Sequence, residues 1–469
     1  MSALRIARTI LLVLLSAASA PASAGAQAAA ANDVMRARVD SLARAFIAQN
    51  GAPGISVEVV RGRDTLVRAG FGMADLENDV PASAATLYRI GSITKQFTSA
   101  AVMRLVEQGR VALSDSIARY VPGLPDAWRG VTVRELLNHT SGIPSYTDIG
   151  ERWVRRWGED MPPDSLVAMT ANDSLWFPPG TRWRYDNTGY VVLGMLLDHV
   201  TGVPYPTYVE KDLLRPLGLD HTYYCDTRRV LPNRARGYAW DADGWHNARY
   251  LSMTQPYSAG ALCSTVGDLA RWNRLLATGR VVSAASYGEM TTPVGAAKAS
   301  HYGFGLGVDT LAGQRMVTHG GGINGFITDN AYFPADSLSV TVLTNSGSAK
   351  PGELLKNIAR VVLGAPLPEA LPRVALTAAE RQTYAGRYEL KTPAGKVLAV
   401  TVVAGKAALM ARPEGQSPTE LIPIGHDAFR PDFDSTVRVT FTVENGHATG
   451  FTLVQAGATM QARRVGDTP

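Results

Sequence analysis

The chain has 469 residues, a length that suits two or three domains, and 46% of them are hydrophobic, enough for a large buried core. Charged residues make up 19% of the chain, which argues against disorder, and a net charge of +5 is spread without runs of like sign. This composition predicts a mixed solvated surface and argues against a nucleic-acid-binding patch.

Residues 1–26 have the features of a secretory signal peptide. Arg5 and Arg8 precede an apolar run of about a dozen residues, which is too short to cross a bilayer as a helix. Small residues follow, with two candidate cleavage motifs, Ala22-Ser23-Ala24 and Ala24-Gly25-Ala26. Because no later segment reaches about 18 apolar residues, we expect a periplasmic or secreted protein whose mature form has no integral membrane segment.

Residues 27–364 predict one mixed domain. Apolar residues at helical spacing predict a helix over 32–50, and 54–72 predicts a β-hairpin that turns at Gly62-Arg63-Asp64. A mostly helical region follows, strand patterns return over 303–345, and 352–364 predicts a closing helix. Strands at both ends with helices between them predict an α+β fold whose sheet is completed by the late strands.

A second, smaller domain is predicted after a break in the chain. The segment 365–375 contains three prolines and is interpreted as a linker. Beyond it, 437–443 alternates apolar with polar residues, and Asn445-Gly446 supplies a turn. Residues 376–469 therefore predict a small all-β domain, a barrel or sandwich of about eight short strands.

Cys225 and Cys263 are the two cysteines of the chain. In an oxidising compartment they could form a disulfide, and two buried free thiols are the alternative. The eight histidines are scattered without the spacing of metal ligands, so the sequence predicts no metal site, and nothing in it indicates a cofactor.

Ser92 and Lys95 lie at the start of a nearly apolar predicted helix, directly after Gly91. Three residues apart on a helix, their side chains share one face. A partly desolvated lysine has a lowered pKa, and its neutral amine can accept the serine proton. The alternative is a helix-capping serine with a lysine that extends to solvent.

Tyr185 and Asn187 precede a second apolar helix. A phenol beside a lysine can act as a base or a proton relay, and an asparagine side chain can hold a substrate amide through one donor and one acceptor. A surface turn is the alternative interpretation of this segment.

A glycine-rich stretch begins at His319. Gly320, Gly322 and Gly325 match a nucleotide-binding fingerprint, but 326–333 predicts a strand, so no helix N-terminus is available for a phosphate. We interpret the stretch as an edge strand whose backbone can lie against a substrate. His319 would supply a hydrogen bond or a positive charge.

In this chain order, the three elements resemble the S-x-x-K, Y-x-N and H-x-G motifs of the serine β-lactamase and penicillin-binding-protein superfamily, in its class C-like branch with esterases and D-aminopeptidases. The resemblance covers about residues 34–364 and includes three further family-like stretches, 136–146, 213–222 and 258–272. It implies an antiparallel sheet flanked by helices, plus a helical subdomain. Residues 380–390 resemble the opening of lipocalin-like β-domains that follow this catalytic domain in some members.

The resemblance also implies roles for the site residues. Ser92 would be the nucleophile, and Lys95 and Tyr185 would share general-base and general-acid duty. Asn187 would bind the substrate amide or orient Lys95. Backbone N–H groups of Ser92 and of Gly322, which follows His319-Gly320-Gly321, would form the oxyanion hole.

The leading hypothesis is therefore an exported serine hydrolase that acts through an acyl-serine on a small ester, amide or D-amino-acid peptide, cell-wall-derived substrates included. A DD-carboxypeptidase or weak β-lactamase is the enzymatic alternative, and a catalytically idle peptidoglycan-fragment-binding protein is the other. His319 lacks the permanent charge of the lysine in K-T-G, and this departure favours esterase or amidase chemistry. The substrate itself is set by loops that the motifs do not describe.

Overall fold

The computed structural model describes residues 24–49, 51–369, 373–392, 395–416, 418–432, 434, 436–455 and 457–467. All but the last three residues of the predicted signal peptide lie outside this set. Within the described ranges, the helices do not combine the length and the apolar character that crossing a membrane would need.

The larger domain is built on a seven-stranded antiparallel sheet. In chain order, its strands and those of the surrounding loops are β1 (Gly54–Arg61), β2 (Asp64–Asp75), β3 (Val80–Pro81), β4 (Tyr88–Arg89), β5 (Tyr223–Tyr224), β6 (Tyr238–Asp241), β7 (Gly244–Asn247), β8 (Leu262–Ser264), β9 (Gly307–Leu311), β10 (Gln314–Ile323), β11 (Phe326–Phe333) and β12 (Leu338–Thr344). The order across the sheet is β3-β2-β1-β12-β11-β10-β9, so the first hairpin of the chain pairs with its late strands. This arrangement confirms the predicted α+β fold.

Helices cover both faces of the sheet. In chain order they are α1 (Ala24–Ala48), α2 (Thr94–Glu107), α3 (Val133–Leu137), α4 (Glu151–Val154), α5 (Pro163–Ala168), α6 (Asn187–Thr201), α7 (Tyr205–Tyr208), α8 (Tyr257–Gly260), α9 (Val266–Ala277), α10 (Ala284–Met290) and α11 (Pro351–Val362). Helices α1 and α11 pack on one face, and α9 packs on the other, where α2 and α6 join the larger core. All seven residues of β12 are buried, as expected for a central strand covered on both faces.

Most predicted elements are found, with shifted ends. The first helix begins at Ala24, eight residues before the predicted start, because the small residues ahead of it continue the helix. The hairpin turns at Gly62, whose φ of +62° suits glycine, and β2 begins at Asp64. The predicted closing helix is α11.

The smaller domain is a closed barrel of eight antiparallel strands. They are β13 (Gly386–Lys391), β14 (Val397–Ala404), β15 (Leu409–Pro413), β16 (Thr419–Gly425), β17 (Ala428–Pro431), β18 (Arg438–Glu444), β19 (His447–Gln455) and β20 (Ala458–Gly466), preceded by the short helix α12 (Ala378–Gln382). Strand β20 pairs back onto β13, so the sheet has no free edge. A barrel is thus confirmed over a sandwich. The described residues of the predicted linker have no regular secondary structure.

A disulfide joins Cys225 to Cys263, with the two Cα atoms 5.2 Å apart. Cys263 lies in β8, which pairs with both β4 and β5 in a small three-stranded sheet. Strand β4 leads directly into the turn that carries Ser92. The disulfide therefore ties down the strands beneath that turn.

Candidate active site

Ser92 lies in a 3₁₀ turn (Gly91–Ile93) between β4 and α2. Gly91 has a φ of +49°, and a Cβ atom there would come within 2.9 Å of the backbone nitrogen of Gly322, so both the turn and the close approach require glycine. The N-cap residue of α2 is Ile93, and no side chain caps the helix. The Ser92 hydroxyl is therefore not used as a helix cap.

Lys95 is fully buried one turn further along, and its Nζ atom has three neighbours. Nζ donates to Asn187 Oδ1 at 2.7 Å and to the backbone oxygen of Ala259 at 2.9 Å, and it lies 3.1 Å from Ser92 Oγ. Both of the first two neighbours can only accept hydrogen bonds. A neutral amine has two N–H groups and one lone pair, so in that form, with both N–H groups used by these acceptors, the lone pair would be left for the serine hydroxyl.

Burial sets the protonation state of this amine. Desolvation lowers the pKa of Lys95 well below its ordinary value, and the nearby Asp186 carboxyl opposes that shift only in part. A neutral lysine at hydrogen-bond distance from a serine hydroxyl is the arrangement that general-base activation requires.

Asn187 begins helix α6 and holds Lys95 in place. Its Oδ1 atom accepts from Lys95, and its Nδ2 atom donates to Thr147 Oγ1 at 2.9 Å. Its backbone N–H donates to Ser145 Oγ at 3.1 Å, which fixes the start of the helix. Of the two expected roles for Asn187, the contacts favour orienting Lys95.

Tyr185 stacks against the same amine, with Nζ of Lys95 4.7 Å from the centre of its ring. Its hydroxyl oxygen is buried and makes no hydrogen bond of good geometry to the described residues, although Ser92 is close enough to lower the pKa of the phenol. Burial is the larger effect and raises the pKa of Tyr185 above its usual value. Tyr185 is therefore a neutral phenol, which can give a proton rather than act as a phenolate base.

The glycine-rich stretch lies on β10, which corrects the expectation of an edge strand. The outer strand is β9, but its pairing with β10 stops at Thr318, so the following glycines are bordered by β11 alone. The hairpin closes at the Ile323–Phe326 pair, so alternation along the strand turns the N–H of Gly322 away from β11, towards Ser92. A Cβ atom on Gly321 would lie 1.9 Å from the backbone oxygen of Ile90, so this approach also requires glycine.

His319 makes hydrogen bonds to neighbouring groups of the protein. Its Nδ1 atom lies 2.5 Å from the backbone oxygen of Gly320 and must donate to it, so Nε2 accepts from the hydroxyl of Tyr302 at 2.8 Å. Neither nitrogen is left to hydrogen-bond a substrate. Burial, with a smaller effect of Lys95, lowers the pKa of His319 to about 4, so it carries no charge at neutral pH. The expectation that it supplies a substrate contact stays a prediction, which this pairing does not favour.

Two residues without an assigned role in the sequence interpretation complete the site. His139 Nδ1 accepts from the backbone N–H of Asp186 at 3.2 Å, and its ring lies 4.3 Å from that of Tyr185. The hydroxyl of Tyr302 donates to His319 Nε2, and the ring centre of Tyr302 is 4.8 Å from that of His139. His139 lies in the family-like stretch 136–146, which was the available signal, whereas no motif indicated Tyr302.

Asp186 lies between Tyr185 and Asn187 and caps helix α6. Its Oδ2 atom accepts from the backbone N–H of Gly189 at 3.0 Å. Burial raises the pKa of its carboxyl to about 7, against opposing hydrogen bonds and the influence of Lys95. The Oδ1 atom is buried without a hydrogen bond to the described residues.

A cleft of about 430 Å³ opens over Ser92. Asn187, Ala259 and Gly322 line it near the hydroxyl, and an aromatic wall lies to one side, formed by Tyr146, Trp153 and Trp157. Such a size suits a small organic substrate. Within the part of the chain that the structure describes, no group of three or more His, Cys, Asp or Glu side chains is placed to hold a metal ion.

The motif order and the geometry around Ser92 can be set beside known proteins. The Beta-lactamase family model matches residues 39–364. The chain belongs to this family. Its members are serine hydrolases, and the predicted resemblance is thereby confirmed.

Individual relatives extend the likeness beyond the catalytic domain. Penicillin-binding protein 4* of Bacillus subtilis (strain 168) is 28% identical over 437 residues, which span 87% of this chain and 94% of the relative. The structure of the octameric penicillin-binding protein homologue from Pyrococcus abyssi matches with a TM-score of 0.65 and 26% identity, over 91% of this chain and 99% of that one. A D-stereospecific amidohydrolase from Streptomyces sp. matches with a TM-score of 0.62 and 30% identity, over 71% of this chain and 99% of that one.

Proposed function

We propose that this protein is an exported serine hydrolase that cleaves uncharged ester or amide bonds, D-amino-acid amides among them, through an acyl-Ser92 intermediate. The observation that carries the proposal is the buried Lys95 amine, whose Nζ atom lies 3.1 Å from Ser92 Oγ. Export is inferred from the signal-like residues 1–26 and is consistent with the disulfide. The amide preference is suggested by the likeness to the D-stereospecific amidohydrolase.

Acylation would begin with attack of Ser92 Oγ on the substrate carbonyl carbon. As the O–C bond forms, the hydroxyl proton passes to Lys95 Nζ and the carbonyl electron pair moves to oxygen. The backbone N–H groups of Ser92 and Gly322 would hold that oxyanion. The bond to the leaving group then breaks, and the leaving group takes a proton from the neutral phenol of Tyr185. The Lys95 ammonium would then give its proton to the Tyr185 oxygen.

Deacylation would use the same groups with water in place of the serine. Lys95 takes a proton from the attacking water, the ester bond to Ser92 Oγ breaks, and the Lys95 ammonium gives that proton to the serine oxygen. The products are the free acid and a site returned to its starting protonation state.

The alternatives have less support from the contacts. Recognition of a carboxylate, as in a DD-carboxypeptidase or β-lactamase, needs a fixed positive charge, and His319 is neutral with both nitrogens occupied. An idle binding protein would have no need of a desolvated lysine at its serine, since burying that amine costs stability.

The proposal is tested by labelling and by a substrate panel. A fluorophosphonate probe should label Ser92 alone in the wild type and leave Ser92→Ala unlabelled, as read by intact mass and peptide mapping. Purified protein should then hydrolyse p-nitrophenyl acetate and D-phenylalanine amide faster, by kcat/KM, than nitrocefin. Labelling elsewhere, or a preference for nitrocefin, would overturn the proposal.

A further inference from the structure

The C-terminal barrel contains a cavity of about 760 Å³. Its walls are inward-facing aliphatic side chains, Val400, Val402, Ala411, Leu421 and Val439, which are at most 7% exposed. A closed eight-stranded barrel is wide enough either to be filled by its own side chains or to hold one small ligand. This lumen is filled over only part of its length.

One end of the lumen is closed by packed rings. Tyr384, Phe429 and Phe441 form an edge-to-face cluster, with ring centres 4.8 and 5.4 Å apart for Tyr384–Phe429 and Phe429–Phe441. The segment before β13 covers them, because Arg381 donates to backbone oxygens of the β14–β15 turn, one of them Gly405 at 3.0 Å. A ligand cannot enter from this end.

The other end is a polar mouth that meets the catalytic domain. Lys350, which immediately precedes α11, forms an ion pair of 2.8 Å with Asp432, which immediately follows β17. Thr392 and Gln455 also lie at this rim. An apolar interior with a polar rim at one end is the form of a site for an apolar chain that carries a polar head.

The mouth adjoins the cleft above Ser92. Ile327 and Gly347 line both the barrel cavity and the active-site cleft. Gly322 and the tip of the following hairpin, Asn324 and Gly325, also line the cleft. The barrel mouth therefore lies beside the cleft in which a substrate would be held at Ser92.

The position of Tyr185 decides which part of the substrate faces the barrel mouth. The leaving group must lie near Tyr185, which protonates it, and His319 marks that end of the glycine stretch with its ring 6.4 Å from Tyr185. The residues after Gly322 lead the opposite way, to Ile327 and the barrel. The acyl part of the substrate is thus the part that points to the lumen.

We propose that the barrel lumen receives a linear aliphatic acyl chain of the substrate whose carbonyl is attacked by Ser92. This inference rests on the proposed hydrolase function and adds to it a substrate class, namely medium-chain acyl esters or amides. Shape and lining select the chain, since a narrow aliphatic channel closed by aromatic rings excludes charged and branched groups.

The first experiment compares kcat/KM for p-nitrophenyl decanoate and acetate. Because each buried methylene adds to binding, the decanoate-to-acetate ratio in the wild type should be at least about ten. Val439→Trp, which fills the lumen, should lower that ratio at least about tenfold. Thr440→Trp places the same ring at the neighbouring, exposed position of β18 and should leave the ratio within about twofold, as expected for an outward side chain.

A second measurement does not depend on activity or on the folding of Val439→Trp. By isothermal titration calorimetry, full-length Ser92→Ala protein should bind one equivalent of decanamide, a neutral probe with a linear chain, whereas acetamide should not bind. Absence of binding overturns the inference, as does a wild-type ratio near one or a ratio that a folded Val439→Trp leaves unchanged. If the wild type hydrolyses neither ester, the hydrolase proposal fails instead, and probe binding still decides whether the lumen takes an acyl chain.

Discussion

The active site consists of two polar layers that differ in how their atoms are paired. The front layer, Ser92, Lys95 and Asn187, is linked by short contacts around one amine. The back layer lies behind it and comprises His139, Tyr185, Asp186, Tyr302 and His319. There, Tyr185 Oη, His139 Nε2 and Asp186 Oδ1 are buried without a hydrogen bond of good geometry to the described residues.

Burial acts on both layers in the same direction, towards the neutral form. It lowers the pKa values of Lys95, His139 and His319, and it raises those of Tyr185 and Asp186. The comparison teaches that the hydrogen bonds of the front layer fix where the reacting proton goes, whereas burial disfavours the charged forms of the groups behind it. This is the reason for proposing substrates without a carboxylate.

The largest effect should come from removing the amine of the front layer. Lys95→Met keeps the apolar stem but leaves Ser92 without a base, so kcat should fall by about a thousandfold, within the usual range for a general base. The steady-state rate on p-nitrophenyl acetate measures it. Lys298→Met, at an exposed lysine, is the matched control and should keep the wild-type rate. A loss below tenfold in Lys95→Met would show that another group takes the proton.

Removal of the disulfide beneath the front layer should lower the stability of the protein strongly. The disulfide closes a sequence separation of 38 residues, so Cys225→Ala/Cys263→Ala should lower the free energy of unfolding by about 3–4 kcal/mol through the entropy of the unfolded chain. Urea denaturation followed by tryptophan fluorescence gives this value. A difference below about 1 kcal/mol would mean that pairing of β8 with β4 and β5 holds the turn without the covalent link.

Tyr185 lies where the two layers meet, and its loss should have a smaller effect than that of Lys95. Tyr185→Phe keeps the ring against Lys95 and removes the proton donor, so kcat for an amide should fall by about a hundredfold. The loss should be smaller for p-nitrophenyl acetate, whose leaving group departs without a proton. Tyr250→Phe, at an exposed tyrosine, is the control. Equal losses for amide and ester would contradict the role of Tyr185 as an acid.

The buried Asp186 carboxyl of the back layer should make the free energy of unfolding depend on pH. Asp186 has a pKa of about 7 in the folded protein against an ordinary value of 3.8, so the folded state binds its proton more tightly. Its contribution is therefore fully present below about pH 4 and is lost as the pH rises to about 7. Asp186→Asn does not titrate and still caps α6.

Relative to the wild type, Asp186→Asn should thus gain stability between pH 4.5 and pH 7, by at most about 1.4 kcal/mol for each pH unit. Urea titrations of both proteins at pH 4.5, 6 and 7.5 measure the difference. A difference that stays constant over this range would show that Asp186 is ionised in the fold.

The order of the motifs was sufficient to predict the front layer, because S-x-x-K and Y-x-N place defined side chains at helix starts. The back layer was harder to predict. His319 was assigned a substrate contact from its motif, but its partner Tyr302 comes from a loop that no pattern marked. The third neighbour of Lys95 is the backbone oxygen of Ala259, and a carbonyl has no signature in sequence.

The fold was predictable for a related reason. The alternation of apolar and polar residues in 54–72, 303–345 and 437–443 shows which side chains face a core, and the sheet and the barrel bury these side chains. The pairing of β1 with β12 and the partial cover of β10 by β9 depend on contacts between distant segments. That is why the glycine stretch was assigned to an edge strand, although it belongs to β10, the second strand from the edge of the sheet.

The central claim is that Lys95 is neutral and takes the proton of Ser92. The most direct test is the rate of Ser92 labelling by a fluorophosphonate between pH 5 and 11. With a lowered pKa, Lys95 loses its proton well below pH 10.5, so the labelling rate should reach its plateau well below that pH and fall as the pH is lowered further. A rate that keeps rising to an apparent pKa near 10.5 would show a lysine that stays charged at neutral pH, and it would contradict the account.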